Sequence, residues 1–265
     1  MKKSCSSASK RKGRFIRPVL ACLAAWPLIL AADQVAVLEL NELEYFETQG
    51  VNVLAFSNWY NGMFDDSKIS GIEIIHHGVR TGTNGDVRLH ATPEQWDAIP
   101  EFVEREVDRE TGTVTARLRY PQHDFEYAIE TRARDGAVVI SVHLPEPLPR
   151  ALVGHAGFNL EFLPAAYFGK AFLADSHSGL FPLYPGGPKE SDNGVAPEPL
   201  ASGQRLTLAP GDPHRKITIE SEGGHLALFD GRAKAQNGWF VVRGLLPADR
   251  EGRVLSLSLI HISEP

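Results

Sequence analysis

The sequence is poor in cysteine, with 2 in 265 residues, at positions 5 and 22. A body that begins at residue 33 therefore holds no thiol, which excludes disulfides, zinc–thiolate sites and cysteine nucleophiles from it. The chain also lacks Gly-x-Ser-x-Gly, His-Glu-x-x-His, a phosphate-binding loop and a dinucleotide fingerprint. We therefore expect no cofactor and no bound metal.

Positive charge is scarce after residue 32. Residues 1–32 hold seven Lys or Arg and no acid, so the formal net charge of −6 leaves −13 for the remainder. A protein that binds nucleic acid needs clustered Lys and Arg to face the phosphates. The composition thus predicts that nucleic acid is not a partner.

The basic opening runs into an apolar stretch, residues 18–32, that ends in small residues. This is the order of a secretory signal peptide, and the stretch is short for a transmembrane span. We predict a signal peptide over residues 1–32, a secreted or periplasmic bacterial protein, and no membrane association after cleavage. A permanent membrane anchor is the alternative.

The last nine residues, 257–265, resemble the translation of a sequencing adapter. We predict that they are a non-native tail and that the natural sequence stops matching near Ser256, which would leave the end of a longer protein missing. The alternative is a genuine strand over Val254–Ile262, because these residues alternate between apolar and polar.

The body reads as strands between turns. With 24 Gly and 18 Pro, the chain has more helix breakers than a helical bundle tolerates. Residues 113–120, 125–131 and 137–144 alternate in the way of a three-stranded meander, and one helix is predicted over Thr92–Phe102. The expected fold is all-β: one large antiparallel β-sandwich over residues 33–256, with one or two short helices. A galactose-mutarotase-like supersandwich is one form that it could take.

Two stretches combine planar polar groups with indole rings, at Asn58–Gly62 and Arg80–Trp96. Sugar sites use guanidinium and amide groups for hydroxyls and an aromatic ring for the C–H face. A tight Asn84-Gly85 turn with salt-bridged flanks is the alternative for the second stretch. The candidate carbohydrate-binding residues are Trp59, Tyr60, Arg80, Asn84, Asp86, Arg88, His90 and Trp96.

A second set of residues could transfer protons. Glu161 alternates with apolar neighbours, so it is either a buried base or a structural acid, and a buried carboxylate needs a partner such as Arg80 or else a raised pKa. With His76, His77 or His90 as the acid, it would form an acid–base pair at an anomeric carbon. The two adjacent histidines fall on a predicted strand, so their rings would point to opposite faces and could share a metal only at a bulge.

Several strings resemble the amino-terminal region of secreted bacterial glycoside hydrolases, most closely family nine, the cellulase-type endoglucanases. They are Phe56-Ser-Asn-Trp-Tyr-Asn-Gly62, residues 78–89, Gly157-Phe-Asn-Leu-Glu-Phe-Leu-Pro164, Phe181-Pro-Leu-Tyr-Pro185 and residues 235–242. In that family a β-sandwich region precedes an immunoglobulin-like module and a catalytic (α/α) barrel. The barrel's Asp-Ala-Gly-Asp string is absent here, so no catalytic role carries over to any residue.

The resemblance implies a non-catalytic, carbohydrate-associated N-terminal domain of a secreted glycoside hydrolase that acts on plant-type β-glucans. Its partners would be a poly- or oligosaccharide and a missing C-terminal catalytic module of the same chain. Two alternatives remain: a stand-alone mutarotase-like enzyme with a histidine acid and a glutamate base, and a carbohydrate-binding envelope protein.

Overall fold

The computed structural model describes residues 38–61, 67–69, 71–93, 97–185, 198–233, 238–248 and 253–260. Within these ranges the secondary structure is almost entirely β, which confirms the predicted class. The short helical elements are α1 (Pro164–Tyr167) and 3-10 turns at Pro121–His123, Arg150–Leu152 and Gly231–Ala233. None of the described helices has the length and apolarity to cross a membrane. The predicted signal peptide lies outside the described residues.

The strands follow one another closely along the chain. They are β1 (Glu39–Leu40), β2 (Phe46–Thr48), β3 (Val51–Ala55), β4 (Trp59–Asn61), β5 (Ser67–Ile69), β6 (Ile72–His76), β7 (Val79–Arg88), β8 (Glu101–Asp108), β9 (Thr113–Tyr120), β10 (Phe125–Arg134), β11 (Ala137–Leu144), β12 (Gly157–Phe162), β13 (Ala171–Ala174), β14 (His177–Leu180), β15 (Ala201–Gly203), β16 (Arg205–Leu208), β17 (Ile217–Ser221), β18 (Leu226–Asp230), β19 (Phe240–Leu245) and β20 (Arg253–Ile260).

These strands form two large antiparallel sheets and one separate hairpin. The first sheet has the order β1-β2-β3-β6-β7-β12-β19-β18-β15, and the second has the order β14-β13-β16-β17-β20-β11-β10-β9-β8. The predicted meander is confirmed as β9, β10 and β11, which pair in sequence. Among the strands that the structure describes, β4 and β5 pair only with each other.

The apolar faces of the two sheets pack into one hydrophobic core. Alternation along β9 and β10 points every second side chain inward, and β6 and β12 do the same from the first sheet. Among the residues that are almost fully buried are Phe46, Ile72, Ile74, Tyr120, Tyr127, Ile129, Ile140, Phe158, Phe162 and Phe240. The molecule is thus an antiparallel β-sandwich, as predicted.

Strand β7 runs without interruption through Asn84-Gly85, where a tight turn was the alternative reading. The pairing of β7 shifts register against β6, and it shifts again against β12. Asn84 has a φ of 52°, in the left-handed region that asparagine tolerates better than most residues. These features mark β-bulges, which bend a strand and re-aim its side chains without ending it.

The helix predicted over Thr92–Phe102 is wrong in its second half. Residues 97–100 are not helical, and β8 begins at Glu101. The residue before a proline is pushed out of the helical region, so Pro100 blocks the helix at Ile99. From Glu101 the burial alternates along the strand, which suits an edge of the second sheet. Residues 94–96 lie outside the described residues.

Strand β20 lies between β11 and β17 in the second sheet. Leu257–Ile260, the start of the predicted non-native tail, pairs with residues of both neighbours. The apolar–polar alternation of this segment is compatible with a strand inside the sheet. Strand pairing itself uses backbone groups, which any extended residue supplies. That residues 257–265 are a non-native tail stays a prediction.

We expect Gly85→Ala to destabilise the fold, because a Cβ there would lie 2.6 Å from Ile72 Cβ and 3.1 Å from Leu160 Cδ1. Overpacking of a core costs about 1–3 kcal/mol, so the urea midpoint and Tm are expected to fall. Gly223→Ala is the matched control, because a Cβ at that position meets no atom within 4 Å. An equal loss in the two variants would contradict the close packing at the bulge.

Candidate functional site

A band of polar side chains crosses the middle of the first sheet. We call it the polar stripe and define it as Asn58, Glu73, Arg80, Thr83, Asn84 and Glu161. Glu73 alternates with Ile72 and Ile74, and Glu161 alternates with Leu160 and Phe162. Those apolar neighbours lie in the core. The two carboxylates therefore lie on the face of the sheet that points away from the core.

Glu73 is the most enclosed member of the stripe, with only 1% of its surface exposed. Its Oε1 accepts hydrogen bonds from Arg80 Nη1 at 2.8 Å and from Thr83 Oγ1 at 3.2 Å. Its Oε2 accepts a hydrogen bond from Asn58 Nδ2. A buried carboxylate is stable only when such donors surround it, and here both oxygens are engaged.

Glu161, which is 2% exposed, is held from the other side of β7. Its Oε2 accepts a hydrogen bond from Asn84 Nδ2 at 2.7 Å. Burial alone would lower the pKa of Arg88, but the charges of Glu161 and Asp86 outweigh it and raise the pKa. Arg88 therefore stays a cation that balances these acids. The sequence suggested Arg80 as the partner of Glu161, whereas in the structure Arg80 bonds to Glu73.

A second buried network lies beside the stripe and ties the two sheets together. Tyr127 Oη on β10 donates a hydrogen bond to Asp86 Oδ1 on β7 at 2.8 Å. Arg243 donates to Asn159 Oδ1 at 2.5 Å and to the main-chain oxygen of His90 at 2.7 Å. Burial lowers the pKa of Arg243 to about 10. These contacts fix the chain where it leaves β7.

The structure brings together only part of the predicted carbohydrate-binding set. Arg80 and Asn84 present partly exposed side chains, while Asp86 and Arg88 are buried within the networks. His90 is exposed at the end of β7. Two further members, Trp59 and Tyr60, lie on β4, which is described only by its backbone. Trp96 lies outside the described residues.

The alternative acid–base set is spread over two faces of the first sheet. His76 is fully buried, follows Ile74 in the core-facing series of β6, and has its Nδ1 2.8 Å from Thr81 Oγ1. His77 is exposed in the turn after β6, with a φ of 47°. Glu161 lies on the face opposite to His76. The structure therefore does not bring this buried histidine to the buried glutamate.

Among the residues of these networks that sequence reasoning missed are Glu73, Asn159 and Arg243. Each is a polar or charged residue inside an otherwise apolar strand, as in Gly71-Ile-Glu-Ile-Ile75. Such a residue costs free energy in a sheet unless it has partners, so its presence was a usable signal.

The stripe can present hydrogen-bond donors in fixed positions. The Arg80 side chain is 40% exposed and Asn84 is half-buried, yet both are anchored to carboxylates below them. Guanidinium and amide groups have several N–H donors, so one can hold the carboxylate while the others face outward. Among the described ranges, no three His, Cys, Asp or Glu side chains are grouped so that they could hold a metal.

Comparisons with known proteins give few relatives. No protein-family model and no curated protein matches the chain. Solved structures that match include a glycoside hydrolase family 97 enzyme from Pseudoalteromonas sp. strain K8 in complex with acarbose, with a TM-score of 0.37 and 11% identity over 79% of this chain and 34% of that one. A variant family 97 enzyme from the same strain, in complex with panose, gives 0.34 and 11% over the same shares. The chain spans about a third of the length of these enzymes.

The buried network that contains Tyr127 and Asp86 is expected to make the protein less stable at alkaline pH. Burial, together with the charge of Asp86, raises the pKa of Tyr127 well above its ordinary value of 10.0. The unfolded chain then loses this phenolic proton first, so the free energy of unfolding falls as the pH rises above about 10. We expect Tyr127→Phe to be less stable near neutral pH by about 1 kcal/mol, because it lacks the hydrogen bond. Its stability should fall less steeply at alkaline pH.

The measurement is urea unfolding at several values between about pH 8 and about pH 11, a range that spans the ordinary tyrosine titration. Tyr184→Phe is the control, because that side chain is 82% exposed. It is expected to keep the pH dependence of the unchanged protein. A Tyr127→Phe variant with the same alkaline slope would contradict the interpretation.

Proposed function

We propose that the chain is the carbohydrate-associated domain of a secreted glycoside hydrolase, and that it binds glycan without cleaving it. The observation that carries this proposal is the polar stripe, in which Arg80 and Asn84 are partly exposed and anchored to Glu73 and Glu161. Sugar hydroxyls both donate and accept hydrogen bonds, and planar guanidinium and amide groups match them well.

The anchoring of Arg80 and Asn84 favours sugar binding, because it lowers the entropic cost of ordering these side chains around a ligand. A free arginine or asparagine side chain loses rotamer freedom when it grips a ligand, at about 0.5–1.5 kcal/mol for each side chain. Arg80 is already held by a 2.8 Å bond and Asn84 by a 2.7 Å bond. A sugar that docks on this stripe therefore meets donors that are close to their bound positions.

The proposal that the domain does not cleave glycan rests on the hydrogen bonds and the burial of its two carboxylates. Glycoside hydrolysis needs two carboxyl groups that flank the scissile bond, one of them able to give up a proton. Both oxygens of Glu73 are taken by protein donors, and Glu161 is almost fully buried. A mutarotase-like pair of His76 and Glu161 is disfavoured, because these two residues lie on opposite faces of the first sheet.

The finer parts of the proposal follow from the family-nine resemblance and the amino-terminal pattern. We propose a plant-type β-glucan as the ligand, a catalytic module located elsewhere in a longer chain, and export by the predicted signal peptide. In such a protein the sandwich holds the polymer near the enzyme that cuts it, which raises the effective concentration of substrate.

The test is retention on a soluble mixed-linkage β-glucan in affinity electrophoresis, with the Arg80→Lys variant. Lysine keeps a positive charge beside Glu73 but loses the planar fork of donors. We expect the affinity obtained from the retention to fall by about tenfold, which corresponds to about 1.4 kcal/mol of binding free energy. Arg117→Gln is the control, because Arg117 forms an exposed ion pair on the second sheet. Unchanged retention of Arg80→Lys would overturn the role of the stripe.

The two indole residues of the predicted set need a test of their own. Trp59→Ala and Trp96→Ala remove rings that could stack on the C–H face of a pyranose. We expect each variant to lose retention on insoluble glucans in a pull-down, whereas Tyr184→Phe, a control at an exposed side chain, keeps it. If both tryptophan variants bind as well as the unchanged chain, these residues do not contact the sugar.

A further inference from the structure

A cleft of about 480 Å³ opens at one end of the sandwich. It lies where the turn between β6 and β7, the segment after α1, and the connection between β16 and β17 come together. Its volume is within the range of small-molecule sites, about 300–1,000 Å³. The polar residues that line it are His77, Arg80, Lys170, Asp212, His214 and Arg215.

The cleft carries an excess of positive charge. Lys170 Nζ pairs with Asp212 Oδ2 at 2.7 Å, and Arg80 pairs with Glu73 beneath it. Arg215 differs from both, because no carboxylate among the described residues lies within ion-pair distance of its guanidinium. One permanent positive charge in the cleft is therefore left without a paired acid.

Arg215 is also held in place. Its Nη1 donates to the main-chain oxygens of His214 at 2.7 Å and His76 at 3.4 Å, and its own carbonyl accepts a bond from Tyr167 Oη at 3.3 Å. Within the described part of the chain, all side-chain hydrogen bonds of Arg215 come from Nη1. The Nη2 and Nε groups, which form the fork that grips a carboxylate, are left for a ligand.

The pKa of Asp212 reflects the charges and hydrogen-bond donors that surround it in the cleft. Burial alone would raise the pKa of this carboxyl group. The hydrogen bonds from Lys170 and from the His214 main chain, together with the charges of Lys170 and Arg215, outweigh burial and lower the pKa. The cations and N–H donors of the cleft thus stabilise a carboxylate that the protein itself supplies.

The non-polar part of the lining is formed by Val79, Leu163, Ala165 and Ala166, and two imidazole rings also line the cleft. The rings of His77 and His214 meet edge to face, with centroids 4.4 Å apart, and both residues are exposed. The His77 ring packs over Gly50, where a Cβ would lie 2.5 Å from Cε1, so the ring can occupy this position only because residue 50 has no side chain. Ring surfaces of this kind suit the C–H face of a pyranose.

We propose that this cleft binds a uronic acid, with its carboxylate on Arg215 and Lys170 and its pyranose ring against the two histidines. The site adjoins the polar stripe, because Arg80 contributes to both. That the ligand is a sugar rests on the proposed function; that it is a carboxylate rests on the charges and geometry of the cleft alone. The uronic acid is either a free monosaccharide or a residue of an acidic polysaccharide.

The experiment is calorimetric titration of the whole chain at low ionic strength with three probes: sodium glucuronate, glucose and sodium acetate. Glucose has the same ring without the carboxylate, and acetate has the carboxylate without the ring. We expect glucuronate to bind at least about tenfold more tightly than either, since it alone makes both kinds of contact. Binding of glucuronate is also expected to weaken with added salt.

Variants assign the binding to the cleft. Arg215→Gln is expected to weaken glucuronate binding by about tenfold. Lys170→Gln provides a second variant on the other side of the cleft, should Arg215→Gln prove less stable. Arg205→Gln is the control, because Arg205 forms an exposed ion pair with Glu220 outside the cleft. Unchanged affinity in both cleft variants would overturn the proposal.

The probes and the glucan assay separate this proposal from the proposed function. Equal binding of glucose and glucuronate, equal binding of acetate and glucuronate, or no binding of glucuronate would each overturn the uronic acid site. A tri-uronate that binds more tightly than glucuronate supports the polysaccharide as the source, and equal affinity supports the free sugar acid. Arg215→Gln is expected to keep its retention on neutral β-glucan. The two proposals are therefore tested separately, and the glucuronate result stands even if Arg80→Lys keeps its retention on β-glucan.

Discussion

The first sheet has to accommodate two buried carboxylates, Glu73 and Glu161, on the strands that flank β7. Each would cost several kcal/mol without donors, so the strand between them must serve both. In a regular strand, consecutive side chains point to opposite faces and could not do this. Thr83 and Asn84 are consecutive, yet Thr83 bonds to Glu73 and Asn84 bonds to Glu161. The bulge, with Asn84 in the left-handed region, makes this arrangement possible.

The same requirement explains why the surrounding polar groups are so fully engaged. Arg88 balances Glu161 and Asp86, and Tyr127 ties Asp86 to the second sheet. Because these bonds cross between strands and between sheets, the loss of one leaves a buried group unpaired elsewhere. The exposed ends of Arg80 and Asn84 therefore stand on a rigid base, and this rigidity makes them suitable for recognising a ligand.

Sequence reasoning predicted the parts of this structure that depend on local pattern. Alternation, together with the glycine and proline content, predicted the all-β class, and alternation predicted the meander of β9, β10 and β11. It could not tell whether Asn84-Gly85 is a turn or a bulge, because that depends on whether partner strands lie on both sides. One of these partners, β12, is distant in sequence from β7. The register of β12 likewise decided that Glu161 meets Asn84 rather than Arg80. The cleft was not foreseen, since its residues come from three distant segments.

Arg80 lies where the polar stripe and the cleft meet, and its charge explains how the two surfaces differ. Its guanidinium is balanced by Glu73, so at this point it offers directed hydrogen bonds with little net charge, which suits a neutral sugar. Arg215 has no carboxylate within ion-pair distance among the described residues, so it offers both hydrogen bonds and charge. Two arginines on one continuous surface thus differ in ligand preference because only one of them has a buried carboxylate beneath it.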